Sequence, residues 1–503
     1  MKKSRDAHGL NNFMLKFLDP AHWQLLLDLY NRSFTSAILP KAWKDTRMLL
    51  LAKKESICEP AQTRPISLLD TFQKIGEKLF LSRFRSVLSA RGLLPNNQSG
   101  FREKFRLQTR LLLFIEDLSS VMANSSPAAT LFVDFRNAFD MLWHEGCLGK
   151  LEQMGIPRAY LKWIRAWLEN RQAFIEIQGA KSRWFNIGRG SPQGGVLSPT
   201  LFISFHADMP EVLSWCSSHL FADDLAAIVS GQIGLKFCNQ CLDLEKRIGN
   251  FLAQLEAYAI LTLQPINISK TEGMWSARAV GSAPFELAGG SMNLSWVKNF
   301  KYLGYWIGPK LGWGTMIKRT SVKIRQRMAA LSSFRFGGLS SPALRRALFS
   351  SYVLPLFTWL MPIYPLFTEK QRNDLDHFYL VCLKRVMRCS RWNDLLFAYA
   401  FDEKSLNDRC IQYWDKYLLH LADSLDGELL LEKASLNFWR EAWLRKEIPV
   451  SGLRRSKRFI GHDSVLETIL KWTRSRPSTN SIALLDPEDI QALQFFPESF
   501  LVE

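Results

Sequence analysis

Cysteine is scarce, with eight in 503 residues, too few for a disulfide scaffold, so a reducing, intracellular setting is expected. The opening Met1-Lys2-Lys3-Ser4-Arg5-Asp6 leads into no apolar core of signal-peptide type. Long uninterrupted apolar runs are missing too. The one uncharged stretch of membrane length, Ala347 to Thr368, is broken by Pro355, Pro362 and Pro365 and diluted by Ser350, Ser351 and Thr358, which predicts buried helices and no membrane partner. Acidic residues run short: 47 Asp and Glu face 65 Lys and Arg, a net charge of +18. That excess favours a polyanionic partner, nucleic acid ahead of an anionic membrane. The apolar and charged fractions, 47% and 22%, are those of a folded globular protein and exclude a fibrous or disordered chain. Cys238 and Cys241 have CxxC spacing, but no second Cys or His pair lies close in sequence, so they read as two small apolar residues on a helix and not as a zinc site.

With no repeat and no long low-complexity stretch, organisation must come from pattern. From Leu15 to about Arg91 the spacing is mostly helical, with Pro40 and Pro65 as breaks and Met48 to Ala52 as a short strand candidate. Leu107 to Met122 reads as a helix. Ala129-Thr130-Leu131-Phe132-Val133-Asp134-Phe135 reads as a buried strand closing on an acid. Helical pattern returns from Cys147 to Asn170, then a hairpin strand from Ala173 to Gln178, a strand-like stretch from Ser218 to Val229, a helix from Cys238 to Tyr258, and short strands near Gly273 to Ser276 and Tyr302 to Ile307. Helices inserted among short strands predict an α+β fold. Beyond Glu286 no acid occurs between Leu287 and Thr368, where eleven Lys and Arg do. Within that segment Thr315 to Leu331 predicts a helix with Ile317, Ile324, Met328 and Leu331 on one stripe, and Arg319 and Lys323 opposite, placed for phosphate contact. The remainder is Leu- and Trp-rich helix carrying the basic cluster Arg454-Arg455-Ser456-Lys457-Arg458, read as a basic loop.

The chemistry starts at Phe221-Ala222-Asp223-Asp224-Leu225, two adjacent acids flanked by apolar strand formers. Burying them unpaired would be costly. A strand, tight turn, strand arrangement exposes them at a hairpin tip, where a divalent cation can neutralise them. If that hairpin lies beside the strand ending at Asp134, three carboxylates meet at one edge of a sheet. Oxygen-only ligands suit Mg²⁺, and ions about 3.5–4 Å apart would clamp the entering and leaving oxygens of a phosphoryl transfer.

At this point the motifs resemble, in order and approximate spacing, the reverse transcriptase of non-LTR (LINE-type) retrotransposons. Lys3 to Leu10 looks like a worn opening motif. Leu39-Pro40-x-x-Trp43, Thr63-Arg64-Pro65-Ile66-Ser67-Leu68-Leu69 and Gln98-Ser99-Gly100-Phe101-Arg102 follow. Next come Phe132-Val133-Asp134-Phe135-Arg136-Asn137-Ala138-Phe139-Asp140, Gly190-Ser191-Pro192-Gln193-Gly194-Gly195-Val196-Leu197-Ser198-Pro199, Phe221-Ala222-Asp223-Asp224, Ser269-Lys270-Thr271-Glu272 and Phe300-Lys301-Tyr302-Leu303-Gly304.

The resemblance implies a right-hand polymerase fold: fingers over 1–125, a palm with an antiparallel sheet over 126–310, a basic helical thumb over 311–392 and a helical C-terminal region over 393–503. It implies that Asp134 and Asp223 ligate two Mg²⁺ ions, with Mn²⁺ as the alternative, and that Asp224 stands beside them. Phe139 matches the residue that stacks under the incoming sugar and excludes a 2′-hydroxyl; Gln193 and Gly194 match the nucleotide-pocket loop. Arg64 matches the partner of the triphosphate and Lys270 the general acid for the departing pyrophosphate. Partners would be an RNA template, a DNA primer or target, and dNTPs, in a nuclear or cytoplasmic ribonucleoprotein. Integration would need an endonuclease domain or protein. None is read in this chain, which is expected to be a fragment or a degraded copy; Asp486-Pro487-Glu488-Asp489 fits a helix N-terminus better than a nuclease. Two alternatives stay open: an inactive or domesticated nucleic-acid-binding relative, and an RNA-templated RNA polymerase. Phe139 and Pro192-Gln193-Gly194 speak against the latter.

Overall fold

The computed structural model describes residues 5–434, apart from 54, 60–61, 125, 278–280 and 334–340, together with 464–475. Arg454 to Arg458 and Asp486 to Asp489 lie outside the described residues. In chain order the strands are β1 (Asp45–Ala52), β2 (Thr63–Leu69), β3 (Ala128–Val133), β4 (Arg171–Ile177), β5 (Ala180–Lys181), β6 (Phe185–Ile187), β7 (Ser217–Phe221), β8 (Asp224–Ser230), β9 (Glu272–Ser276), β10 (Leu287–Gly289), β11 (Met292–Val297), β12 (Phe300–Tyr302) and β13 (Tyr305–Ile307). Interspersed helices make this an α+β chain with mixed sheets.

The larger sheet has the order β10-β11-β9-β3-β8-β7. Its middle strand β3 is buried along its whole length, and the sequence shows why. Leu131 and Val133 point into one apolar core with Leu225, Ala227 and Val229 of β8. Phe132 points into a second core with Ala226 and Ile228. A strand with helices packed on both faces has no polar side, so its sequence is a continuous apolar run and not an alternation. Each buried Leu or Val contributes about 1.5–3 kcal/mol.

Three expectations need correcting. The sheet is not wholly antiparallel, because β11 runs parallel to β9: the β10–β11 hairpin reverses the chain before it joins the sheet. Cys147 to Asn170 is two helices, His144–Gln153 and Arg158–Leu168. Gly155 there adopts a left-handed φ of 76°, and Pro157 cannot continue the first helix's hydrogen bonding. Finally, Pro65 breaks nothing. It sits in β2, paired opposite Leu50, and β2 is an edge strand, where a missing N–H can face away from the ladder.

The Ala347 to Thr368 stretch forms short helices, Pro342–Tyr352 and Leu354–Thr358, and among the described residues no helix is long and apolar enough to cross a membrane. Cys238 and Cys241 lie on the helix Phe237–Leu261, one exposed and one buried. The helices after β13 share a core with the sheet: Phe132 and Tyr302 belong to the same apolar cluster as Val353, Tyr379, Trp414 and Ile469. Trp414 is fully buried and its indole N–H donates to the Met361 carbonyl at 3.1 Å. Trp414→Ala is therefore expected to cost about 3–5 kcal/mol of unfolding free energy. In chemical denaturation it should shift the main transition of the chain, and loss of a separate minor transition alone would contradict the shared core.

Candidate active site

β3 and β8 pair antiparallel, ending with Val133 opposite Leu225. The next residue on β3 is Asp134 and the preceding one on β8 is Asp224, so the two acids emerge at the same end of neighbouring strands. β7 and β8 form a hairpin in which Phe221 pairs with Asp224, leaving Ala222 and Asp223 as a two-residue turn. Ala222 has φ 61°, a conformation that costs a non-glycine residue about 1 kcal/mol and that the strand twist demands of such turns. Burial, then the nearby Asp134, pushes the Asp223 carboxyl above its usual range, against an opposing pull from Arg64. Asp224 is pushed up to about 6 by burial, Asp223 and Asp134. Asp223 and Asp224 thus both feel the charge of Asp134.

A segment after the helix Phe237–Leu261 holds Asp134 from the other side. Asn267 donates its backbone N–H to the Asp134 carbonyl at 2.7 Å and its side-chain amide to the carboxylate at 2.8 Å. The Lys270 ammonium lies 3.6 Å from the same carboxylate oxygen. A cavity of about 350 Å³ is lined by Asp134, Asp224, Lys270, Glu272 and the start of the β12–β13 hairpin. As they stand, no three His, Cys, Asp or Glu side chains among the described residues are gathered closely enough to cage a metal ion. Unneutralised carboxylates repel one another. In its chemistry the donor set still fits a hard cation, because it is all oxygen and its mutual repulsion is what a bound dication would relieve.

The predicted nucleotide-pocket residues are tied to the five-stranded sheet of order β2-β1-β4-β5, with β6 on β4. The Gln193 carbonyl accepts the Ser67 N–H of β2 at 2.8 Å. At Gly194, with φ 131°, a Cβ would sit 2.4 Å from the Ser67 carbonyl oxygen, so only glycine allows this close approach. Arg64 is exposed on the same strand. The half-buried Phe139 ring stacks on Phe202 at 4.7 Å and meets Phe101 edge-on at 6.2 Å. Arg319 and Lys323 are exposed on the helix Gly314–Ser333, with Arg319 over the Trp306 ring at 5.1 Å. They share a recess of about 240 Å³ with Lys301, Gly304 and Trp359. Lys301 also lines the acidic cavity, so the two recesses adjoin.

Several supporting residues escaped the sequence reading. Asp140 accepts both of its oxygens' hydrogen bonds from the Gln193 amide, at 2.9 and 2.8 Å, and burial raises its carboxyl pKa. Glu77, fully buried, accepts from the Trp167 indole at 2.9 Å and from the Val196 and Leu197 N–H groups at 2.6 and 3.2 Å. The pocket loop is therefore gripped by acids at both ends. Asp6, in the worn opening motif, accepts from the Thr71 N–H and hydroxyl, both at 3.0 Å, and so takes up the first N–H of the helix Thr71–Ala90, whose N-cap is Asp70. The signal available in sequence was an acid at Glu77 on the same helix face as Phe80, Leu81 and Phe84, which must find donors once buried. Nothing local announced Asp140.

Because the folded-state pKa of Asp224, about 6, exceeds the ordinary value of 3.8, the folded protein holds the extra proton. That stabilisation is complete below pH 4 and lost as pH rises through 6. Asp224→Asn should accordingly match the wild type at pH 4 and exceed it in thermal midpoint at pH 8 in chelator. Asp224 still reaches solvent, so the gain stays below about 1 kcal/mol. A variant less stable than wild type at pH 8 would contradict the electrostatic picture.

Comparison with known proteins bears on the family of the chain. Residues 51–307 match the family described as reverse transcriptase (RNA-dependent DNA polymerase). The probable RNA-directed DNA polymerase from transposon BS of Drosophila melanogaster is 26% identical over 77% of this chain and 43% of its own length. The RNA-directed DNA polymerase from mobile element jockey of the same organism is 27% identical, over 66% of this chain and 36% of its own length. The chain thus spans less than half the length of these curated relatives. Among solved structures, apo telomerase from Candida tropicalis, truncated from its C-terminal domain, overlaps distantly, with a TM-score of 0.37 and 13% identity over 57% of this chain and 58% of that one. On the family match, which covers half of its residues, the chain belongs to the reverse transcriptase (RNA-dependent DNA polymerase) family.

Proposed function

We propose that this chain is the RNA-directed DNA polymerase of a non-LTR retrotransposon, joining dNTPs to a primer 3′-hydroxyl on an RNA template. The observation that carries this reading is the β3–β8 pairing, which brings Asp134 to the same sheet end as Asp223 and Asp224. Polymerases of this family generally use divalent metal ions; here Asp134 and Asp223 would hold two Mg²⁺, or Mn²⁺, with Asp224 adding to the negative field. When bound, such ions activate the primer hydroxyl and neutralise the charge of the leaving pyrophosphate.

The chain's own residues then position and discriminate. Arg64 pairs with the triphosphate through its guanidinium fork. Gln193 and Gly194 line the nucleotide, with Asp140 and Glu77 fixing their loop. Phe139, backed by Phe202 and Phe101, lies under the sugar and blocks a 2′-hydroxyl. Lys270, beside Asp134, delivers a proton to the departing pyrophosphate. Residues 1–125 act as fingers, 126–310 as palm and 311–392 as thumb. Arg319 and Lys323, with no acid in their segment, hold the template–primer duplex by its phosphates, and the described residues of 393–434 and 464–475 share an apolar core with the thumb. Nuclear or cytoplasmic ribonucleoprotein and a separate endonuclease activity complete the reading.

Primer extension on a homopolymeric RNA template with Mg²⁺ tests it. Wild type should extend, and Asp223→Ala should lose at least about 100-fold in rate. Equal extension by both would remove the assigned site, and none by either would favour a binding-only relative. Phe139→Val should admit ribonucleotides, raising their incorporation relative to dNTPs at least about tenfold; unchanged discrimination would free Phe139 of that role.

A further inference from the structure

The turn that presents Asp223 is held by a segment far away in sequence. Between the helices Thr71–Ala90 and Leu107–Ala123, residues 97–100 run alongside β7: the Leu220 N–H donates to the Asn97 carbonyl at 2.8 Å, and the Ser99 N–H to the Leu220 carbonyl at 3.0 Å. At the end of this short ladder a side chain takes over. Gln98, only 2% exposed, accepts the Ala222 N–H at 2.9 Å on its amide oxygen and donates its amide nitrogen to the Ala222 carbonyl at 3.0 Å. The same oxygen accepts the Gly100 N–H at 2.7 Å. An N–H partner requires the oxygen and a carbonyl partner requires the nitrogen, so the amide has one orientation here. Gln98 thus pairs with Ala222 as a neighbouring strand residue would, reading both backbone groups of the one non-glycine residue of the turn that is left-handed. Gly100 closes the other side: a Cβ there would sit 2.1 Å from the Ala222 nitrogen.

We propose that Gln98 is a positioning residue for the metal site: by clamping both backbone groups of Ala222 it fixes the turn that aims Asp223 toward Asp134. Gln98 touches no reacting atom, and its effect travels only through the Ala222–Asp223 peptide. The proposal rests on the polymerase reading above for its metal, but the clamp itself can be read without activity. A conformationally costly turn carrying two like-charged carboxylates has every reason to relax away from Asp134 once the clamp is gone. Loss of a partner that orients a metal ligand typically weakens metal binding by about 10–100-fold.

The test uses the full chain and two variants. Gln98→Met keeps the volume and removes every hydrogen bond; Gln98→Asn keeps the amide but falls one methylene short of Ala222, and serves if Met does not fold. Three readouts are taken: hydrogen exchange of the 219–225 peptide without metal, Mn²⁺ affinity by electron paramagnetic resonance with primer–template, and extension rate against Mg²⁺ concentration. Expected are exchange at least about tenfold faster, Mn²⁺ affinity weakened at least about tenfold, and a Mg²⁺ half-saturation raised by a similar factor, with the rate at saturating Mg²⁺ within about threefold of wild type. A general loss of fold would instead lower the maximal rate and the thermal midpoint together. Wild-type exchange and wild-type Mn²⁺ affinity in a folded variant overturn the proposal. Asp223→Ala with wild-type extension overturns the polymerase reading instead, and the two failures are told apart because exchange of the turn is measured with no metal or substrate present.

Discussion

Repulsion between carboxylates is the constraint around which this molecule is arranged. Beyond the effect of burial, Asp134 raises the proton affinity of Asp223 and Asp224, and Asp223 that of Asp224, and left to themselves acids at the ends of apolar strands would separate or fray the strands that carry them. The apolar strands prevent that. β3 is anchored on both faces by separate cores, so its C-terminal end cannot shift without disturbing both. β8 is fixed to it by a six-residue register. Stability gained by apolar burial is spent on keeping like charges close, a strain that clusters at functional sites.

The same logic explains the polar groups buried around the site. Beneath the β7–β8 hairpin, His219 donates its Nε2–H to the Asp117 carboxylate at 2.9 Å, and Lys433 from the C-terminal region pairs with the other Asp117 oxygen. Arg110 donates to the Ser99 hydroxyl at 2.8 Å and to the Asn96 carbonyl. Burial holds the His219 pKa down to about 4, which leaves the ring neutral at physiological pH. The far C-terminal helix is drawn into this support as well, since the Leu466 N–H donates to Glu116 at 3.2 Å. Buried polar networks of this kind fix one arrangement when every member is satisfied. The hairpin therefore rests on contacts from before it and after it in the chain.

What could be read from the sequence was whatever is encoded locally. The run from Ala129 to Val133 closing on Asp134 announced a buried strand, and two acids between apolar strand formers announced a hairpin tip. Of the stripe Ile317, Ile324, Met328 and Leu331, the last three are buried and Ile317 is half-buried against the same core, much as its spacing foretold. Pro65 misled because the stretch around it read as helical, where a proline is a break, whereas an edge strand can carry one. Gly155 and Pro157 were hidden inside a stretch whose apolar spacing suits a helix on either side of them. The grip of Gln98 on Ala222, and of Asp140 on Gln193, could not be seen at all. Such contacts depend on which loop the fold brings alongside, and neither residue type nor spacing carries that information. The motifs named the candidate residues, whereas their supports became visible only in three dimensions.

The central claim is that these aspartates, held together against their repulsion, share divalent cations where a primer ends. The most direct measurement is an anomalous-scattering map of the chain crystallised with an RNA–DNA template–primer, a non-hydrolysable dNTP analogue and Mn²⁺. The account predicts a Mn²⁺ peak bridging the Asp134 and Asp223 carboxylates, beside the primer 3′ end. A fully occupied ternary complex with no such peak, or with the ion bound elsewhere, would contradict it.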